Sequence, residues 1–528
     1  MLSTIDLTVI SFYAVVLLGA ALFVSFRKSP ENMSSEDYFL AGKSLPWWAI
    51  GASLIAANIS AEQIIGQSGQ GFVVGLAIAA YEWQAAIVLL ITAKYFLPIF
   101  LKKKIYTMPQ FLDMRFGGGI KSLMAVFWVV LYTAVNLTAV LWLGGLALSA
   151  FSGIDVMSAM IGLAAFAVIY SLYGGLKAVA LTDIIQVVVL VSGGFVITAI
   201  VLAQVGNGTG VFGGLGILMS EIPGHFKMIL APEHPSYGNL PGIWTLLGGL
   251  WVLHFSYWGF NQYIIQRALG AESLAEAQKG LVFAAALKLL IPLIVVIPGI
   301  AALYLAQNGQ LDMARLSASP DSTYGILMEL APEGLRGMVF AALIAAIVSS
   351  LASMMNSIST IFTLDIYQGL LVKGRTDSHY VMIGRLTSVT AIIIAVMLAK
   401  PFLGGMESAF QTIQEYTGFI APGIVSVFLL GMFWKGANAQ GAFAILFVSI
   451  VANIALKFIV PDLAFVIRIW IVFMSCLVVG VIASRLAGPA PAERIIDLGE
   501  MHFATTRGFN RSAILVVVVL IAIYGLFW

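Results

Sequence analysis

Charge is scarce in this chain of 528 residues: Asp, Glu, Lys and Arg make up 10% of it, against about 25% in an ordinary soluble domain. With 60% hydrophobic residues as well, the composition is that of a membrane protein and excludes a large soluble one. Cysteine is nearly absent. The single Cys476 rules out an intrachain disulfide, so cysteines say nothing about redox compartment, and a lone thiol in an apolar segment reads as a small packing residue. No P-loop occurs and no polar stretch is long enough for a nucleotide-hydrolysing domain, which argues against an ATP-driven pump. The five histidines, His225, His234, His254, His379 and His502, share no metal-ligand spacing, which argues against an embedded metalloenzyme. Arginine-rich or aromatic-basic patches are missing, so nucleic acid is not an expected partner. Strand-like alternation is missing too, and a barrel is not expected. The net charge of +2 points to no particular partner.

What is plentiful is long apolar runs, each able as a helix to cross about 30 Å of hydrocarbon. We read fourteen spans, at 6–26, 47–70, 74–101, 120–150, 156–173, 177–204, 241–268, 276–306, 333–368, 379–399, 404–432, 437–459, 464–485 and 511–528. The first has no basic residue before it, and Arg27 and Lys28 follow it. It therefore reads as an uncleaved span starting outside, not a removable signal. Counting alternately from there, the inner connections and span ends hold most of the Lys and Arg, among them Lys43, Lys102, Lys103, Lys104, Arg115, Lys121, Arg267, Lys373, Arg375, Arg485 and Arg507. The outer side holds Lys227, Arg315, Arg336, Lys400, Lys457 and Arg468, and Lys94 and Lys288 fall within spans. That bias puts the loop-rich basic side in the cytoplasm and both termini outside, periplasmic for a bacterial inner membrane. The chain ends directly after its last span, so no attached signalling domain is expected and a sensor or receptor role is disfavoured.

Spans two to six and seven to eleven form two sets of five, and an odd number per set forces opposite orientation in the membrane. The corresponding segments are 1–46, an extra span and inner loop; 47–205, the first repeat; 206–240, an outer loop; 241–432, the second repeat; and 433–528, three further spans. The first span of each set is interrupted, by Asn58 to Gln63 in "SLIAANISAEQIIG" and by "FSYWGFNQ" from Phe255 to Gln262. Interruptions at corresponding places in inverted repeats point to a transporter site between them. At 1.5 Å per residue, Asn58 lies roughly 17 Å beyond Trp47, near mid-bilayer. A break there exposes carbonyls and amides that lipid cannot satisfy, so it must line a protein or water-filled cavity.

Other polar residues lie at similar depth: Glu82, Asn136, Lys288 and Gln414. Ionisable groups in hydrocarbon are costly unless paired, so Glu82 and Lys288 are expected to pair. Glu62 and Glu415 read as residues that shape the break or a gate. Amides offer donors and acceptors, Glu accepts and Lys donates, while Tyr257 and Trp258 supply an aromatic face; that set favours a neutral polyol such as a sugar. In the ninth span, "AAIVSSLASMMNS" brings Ser349 and Ser350 among small residues that allow close helix approach. Hard cations prefer oxygen ligands, and carbonyls freed near Ala56 and Ile59 with these two hydroxyls form a sodium-sized cage. No carboxylate adjoins these serines in sequence, so a proton is not the expected coupling ion, and one cage implies one sodium per solute.

These runs resemble the solute:sodium symporter family over almost the whole chain: "EDYFLAGKSLPWW", "GASLIAANISAEQ", "GLAIAAYEW", "VNLTAVLWLGGLAL", "YWGFNQYIIQR", "AAIVSSLASMMNS" and "IQEYTG", in that order. The resemblance implies an all-α membrane protein with fourteen helices and a LeuT-like core of inverted five-helix repeats, each opening on a broken helix. It implies sodium-driven uptake of a hexose, with myo-inositol or another polyol, an amino acid or sialic acid as alternatives, by a monomer or weak homo-oligomer. By position it implies that Asn58, Gln63, Tyr81, Glu82, Asn136, Tyr257, Lys288 and Gln414 contact the solute; His254, standing where the family pattern has an Asn, is a further candidate, read either as a sugar hydrogen-bonder or as a satisfied helix-contact histidine. Sodium falls to Ala56, Ile59 and Ala346 through their carbonyls and to Ser349 and Ser350. Gln67, Tyr81 and Phe410 become outer gates, Tyr257 the inner gate, and Asp183 a point on the sodium exit. The chain departs from the sugar-site pattern at Ala85, His254 and Ser256, and from the outer-gate pattern at Gln67, which leaves the sugar open.

Overall fold

The computed structural model describes residues 3–26, 34–60, 62–172, 175–404 and 409–528, and every regular element among them is helical. Arg27 and Lys28, which helped orient the first span, lie outside the described residues. Among the described residues eleven helices are long and apolar enough to cross a membrane. A twelfth span results if Trp47–Asn58 and Glu62–Val73, bent by 60° to one another, are taken together. Two expected spans fall short of that length. Residues 156–173 give the helix Val156–Ser171, and residues 241–268 divide into Ile243–Leu247, Leu250–His254, a wide π turn at Phe255–Gly259, and Gln262–Leu269. The run 404–432 also divides, into Ala409–Gly418 and Ala421–Phe433, where Pro422 starts a new first turn. The outer connection expected at 206–240 carries a helix of its own, Gly210–Glu221.

Connections expected on one side of the membrane meet at one end of the bundle. The Leu45 N–H donates to the Gly270 carbonyl at 3.0 Å, and the Glu272 N–H to the Leu45 carbonyl at 3.2 Å. At the same end Arg115, buried, donates to the carbonyls of Gly431 and Trp434 at 2.9 and 3.1 Å. At the opposite end Glu415 accepts ion pairs from Arg468 at 2.6 Å and Lys457 at 3.0 Å.

Glycine sets the spacing of the core. A Cβ at Gly51 would lie 2.7 Å from the Gly280 carbonyl, and one at Gly71 would lie 2.6 Å from that of Val296. Both glycines sit where the bent helix presses against Leu274–Gln307, the approach that small residues permit in a bilayer. The Leu335–Leu371 helix runs through the centre and is buried along most of its length. Its first turn is capped from another span: Asp6 Oδ1 accepts the Gly334 and Gly337 N–H groups at 2.7 and 2.8 Å. A carboxylate at a helix start satisfies orphan amides and complements the dipole. Asp6→Ala should lower stability by about 1–2 kcal/mol, read as a lower thermal-unfolding midpoint of purified protein, with Asp6→Asn recovering part of the loss.

Candidate functional site

The first break is made by side chains that compete for backbone donors. Helix Trp47–Asn58 ends at Ile59, whose ψ of 93° is extended. In a continuous helix the Ser60 N–H would return to the Ala56 carbonyl. Instead it donates to Gln63 Oε1 at 3.1 Å, which also accepts the Ser60 hydroxyl at 2.7 Å. The Glu62 N–H likewise donates to Ser60 Oγ at 3.1 Å rather than to the Asn58 carbonyl. Local side-chain bonds of this kind offer the backbone an alternative to the helix. The second break follows the π turn: Asn261 has extended backbone, and its side chain accepts the Tyr263 N–H at 3.2 Å.

Between the breaks lies a cavity of about 50 Å³ lined by Asn58, Gln63, Gln67, Tyr81, Glu82, His254, Tyr257, Trp258, Lys288 and Gln414. A second cavity of about the same size shares Gln63, Tyr257 and Gln414 with it and adds Glu62, Asn136 and Asn261. Of the nine solute candidates, then, eight share one cavity and Asn136 faces its neighbour. The expected pair is present: Lys288 Nζ, 1% exposed, bonds Glu82 Oε2 and Asn58 Oδ1 and lies 4.8 Å from the Trp258 ring. Asn58 Nδ2 donates to the Tyr257 hydroxyl at 3.2 Å. Gln67, expected as a gate, donates to Glu82 Oε1 at 2.7 Å and so joins this network. Gln414 donates to Glu62 Oε1 at 3.1 Å, closing the cavity from the third side. Glu415, in contrast, is occupied by Arg468 and Lys457 away from the break. The side chain of Phe410 lies outside the described residues.

The ion-site candidates gather where the bent helix meets Leu335–Leu371. Ser350 Oγ donates to the Ala57 carbonyl at 3.0 Å, one residue from Ala56, and Ala346 lies one turn before Ser350. Two expectations need correction. A carboxylate does adjoin the serines: Asp183, from the Gly175–Gly206 helix, accepts Ser349 Oγ at 2.6 Å and Ser53 Oγ at 2.5 Å. Proximity in space, not in sequence, brings it there. Arg267, counted among the inner end charges, is instead 1% exposed, with its NH2 3.7 Å from Asp183 Oδ2 and its Nε donating to the Ser53 carbonyl and hydroxyl at 3.1 and 2.6 Å. Arg267 also donates to the Ser353 hydroxyl; Ser53, Ser353 and Arg267 were missed by sequence reasoning. The spacing of Ser349 and Ser353, one turn apart, signals a polar stripe, but nothing in the sequence around Arg267 marks it as buried.

The chain matches the model of the Sodium:solute symporter family over residues 38–448. It is 50% identical over 538 aligned positions to the sodium/glucose cotransporter of Vibrio parahaemolyticus, covering 100% of this chain and 99% of that one. It is 31% identical to the sodium/myo-inositol cotransporter 2 of Mus musculus over 83% of this chain and 68% of that protein. A Na+-coupled sialic acid symporter solved in a substrate-bound outward-open state superposes with a TM-score of 0.81 at 23% identity, over 93% of this chain and 99% of that one. That likeness shows the fold.

Removing one member of a buried ion pair strands the other. Lys288→Met should cost about 3–5 kcal/mol by leaving Glu82 without its cation, whereas Lys288→Met with Glu82→Gln should cost clearly less than Lys288→Met alone. Thermal unfolding of the purified variants reads this directly; additive losses would mean that the two side chains are not coupled.

Proposed function

The chain belongs to the sodium:solute symporter family, and from that premise we propose that it carries a neutral hexose inward by sodium-coupled alternating access. The observation that supports this reading is the shared break. Its side chains Asn58 and Gln63 face the cavity that holds Lys288 and Glu82, while its main chain at Ala57 meets Ser350. One deformation of one helix thus serves two ligands.

In this reading the short helix Val156–Ser171 and the series from Ile243 to Leu269 complete fourteen spans. Residues 47–205 and 241–432 form the inverted repeats, 206–240 is the outer connection between them, and 1–46 and 433–528 are additions. The basic connections face the cytoplasm of a bacterial inner membrane, with both termini periplasmic. Sodium arriving from outside takes the carbonyls of Ala56, Ile59 and Ala346 and the hydroxyls of Ser349 and Ser350. To receive it, Ser350 turns from the Ala57 carbonyl and Ser349 from Asp183. That exchange stiffens the break and holds Asn58 and Gln63 toward the sugar, whose hydroxyls also meet Glu82, Lys288, His254, Asn136 and Gln414. Tyr81, Gln67 and Phe410 then close the outer side, Tyr257 yields on the inner side, and sodium leaves past Asp183 into the low-sodium cytoplasm. Coupling of this kind is reciprocal: sodium tightens sugar binding as much as sugar tightens sodium binding. The departures at His254, Ala85 and Ser256 keep myo-inositol as the second reading, because a site built on substrate hydroxyls rejects a solute that leaves its polar groups unpaired.

Purified protein in liposomes should accumulate labelled hexose when an inward sodium gradient is imposed, and equal accumulation with a proton gradient and no sodium would remove the ion assignment. Competition by hexoses, myo-inositol, sialic acid and proline ranks the solutes. Gln63→Ala should weaken sugar affinity at least tenfold, about 1.4 kcal/mol, while sodium binding in the absence of sugar persists. Ser350→Ala should raise the sodium concentration needed for half-maximal uptake, and unchanged sodium activation would take that hydroxyl out of the ion site.

A further inference from the structure

Beneath Tyr257, on the Leu269 side of the second break, lies a buried polar cluster that the transport scheme has not used. Tyr132 is fully buried on the π turn Tyr132–Leu137. Its hydroxyl donates to Asn261 Oδ1 at 2.8 Å and accepts the Gln262 N–H at 3.0 Å. The Gln262 side chain, also fully buried, accepts the Met108 N–H at 2.8 Å and donates to the Tyr106 carbonyl at 3.1 Å. The first turn of Gln262–Leu269 is therefore hooked at two points to elements outside both broken helices. The ring of Tyr263 completes the plug, edge-on to Tyr257 at 5.6 Å and to Tyr132 at 5.4 Å.

The far end of the same short helix is tied differently. Arg267 bonds Ser53 within Trp47–Asn58, and Gly270 bonds Leu45 just before it. Gln266 also donates to the Phe39 carbonyl at 2.6 Å and accepts the Ser357 hydroxyl at 2.9 Å, so the far half of Gln262–Leu269 is fastened to Trp47–Asn58 and to the central helix, while its near half is joined at Tyr132 and Gln262 to Gly118–Ser149 and the Tyr106–Met108 turn.

We propose that Tyr132 and Gln262 form the latch of the inner gate: the hydroxyl and the amide hold the second broken helix shut against Gly118–Ser149 and the Tyr106–Met108 turn, beneath the Tyr257 ring. Tyr132 is a positioning residue, since it lines neither cavity. The proposal rests on the reading of Tyr257 as the inner gate, but its test needs no solute. When the latch parts, water can reach the Gln262 N–H and the Asn261 amide; while it is shut, Tyr132 satisfies both. Tyr132→Phe keeps the edge-on ring contacts but removes both hydroxyl bonds in the shut state, leaving the Gln262 N–H buried without its partner and Asn261 Oδ1 with the Tyr263 N–H alone, so it selectively penalises closure.

The reporter is S256C, in the cavity that Asn261 and Tyr263 also line, placed in a Cys476→Ser background because Cys476 is the chain's single native thiol. A membrane-impermeant maleimide is applied to inverted and to right-side-out vesicles. Tyr132→Phe should raise labelling of the S256C thiol roughly tenfold from the cytoplasmic face, the size expected for two neutral hydrogen bonds, and lower it from the outer face. Gln262→Leu should act in the same direction. Unchanged cytoplasmic labelling in both variants overturns the latch, and so does an equal rise from both faces, which is general loosening. If labelling shifts one-sidedly yet no sodium-driven uptake of any hexose is found, the latch stands and the transport reading falls.

Discussion

A backbone amide or carbonyl inside hydrocarbon must find a partner within the protein, because there is no water to take its place. The break at Asn58–Glu62 exists because that requirement is met from the side. Ser60 and Gln63 take up amides that leave the helix, and Ser350 reaches the Ala57 carbonyl from another span. Every other feature of the site follows from the bend. The bend turns Asn58 and Gln63 toward one cavity, and it brings the main chain within reach of the central helix. The glycines at Gly51 and Gly71 then let both halves of the bent helix lie directly on Leu274–Gln307, which supplies Lys288.

Two buried ion pairs flank the bend, Lys288 with Glu82 and Arg267 with Asp183. The first joins two continuous spans and the second joins the broken element Gln262–Leu269 to a continuous one, and each anion also accepts neutral donors, Gln67 in one case and Ser53 with Ser349 in the other. A buried charge pair is expensive to separate and costly to leave half-made. These pairs are therefore suited to hold discrete arrangements rather than a continuum, which a gate between two sides of a membrane requires.

Much of this was legible in the sequence. Polar residues amid apolar runs marked Asn58, Gln63, Glu82 and Lys288, because few physical reasons exist for such groups at that depth, and family resemblance added the site's membership. What escaped was whatever depends on distance in space. Arg267 sits at the end of an apolar run and reads as an end charge. Only the fold reveals that Asp183, 84 positions earlier, lies beside it. Tyr132 is one aromatic among 17 tyrosines, and its hydroxyl partners lie on another element. The interruption of 241–268 at Phe255–Gln262 was expected, but its earlier division at Gly248 was not; hydropathy sees composition, and it does not see that Gly248 leaves helical backbone within an otherwise apolar stretch.

The joint between Leu45 and Gly270 has a consequence of a different kind. It is made by main-chain atoms of both partners, so no side-chain replacement deletes it. A scan that truncates each residue in turn would register Arg267 and Ser53 and pass over this clasp in silence, although it binds the feet of both broken helices. The two bonds do not depend on which side chains stand at Leu45, Gly270 and Glu272, and proline at Leu45 or Glu272, which lacks the amide, is the substitution that would undo one of them.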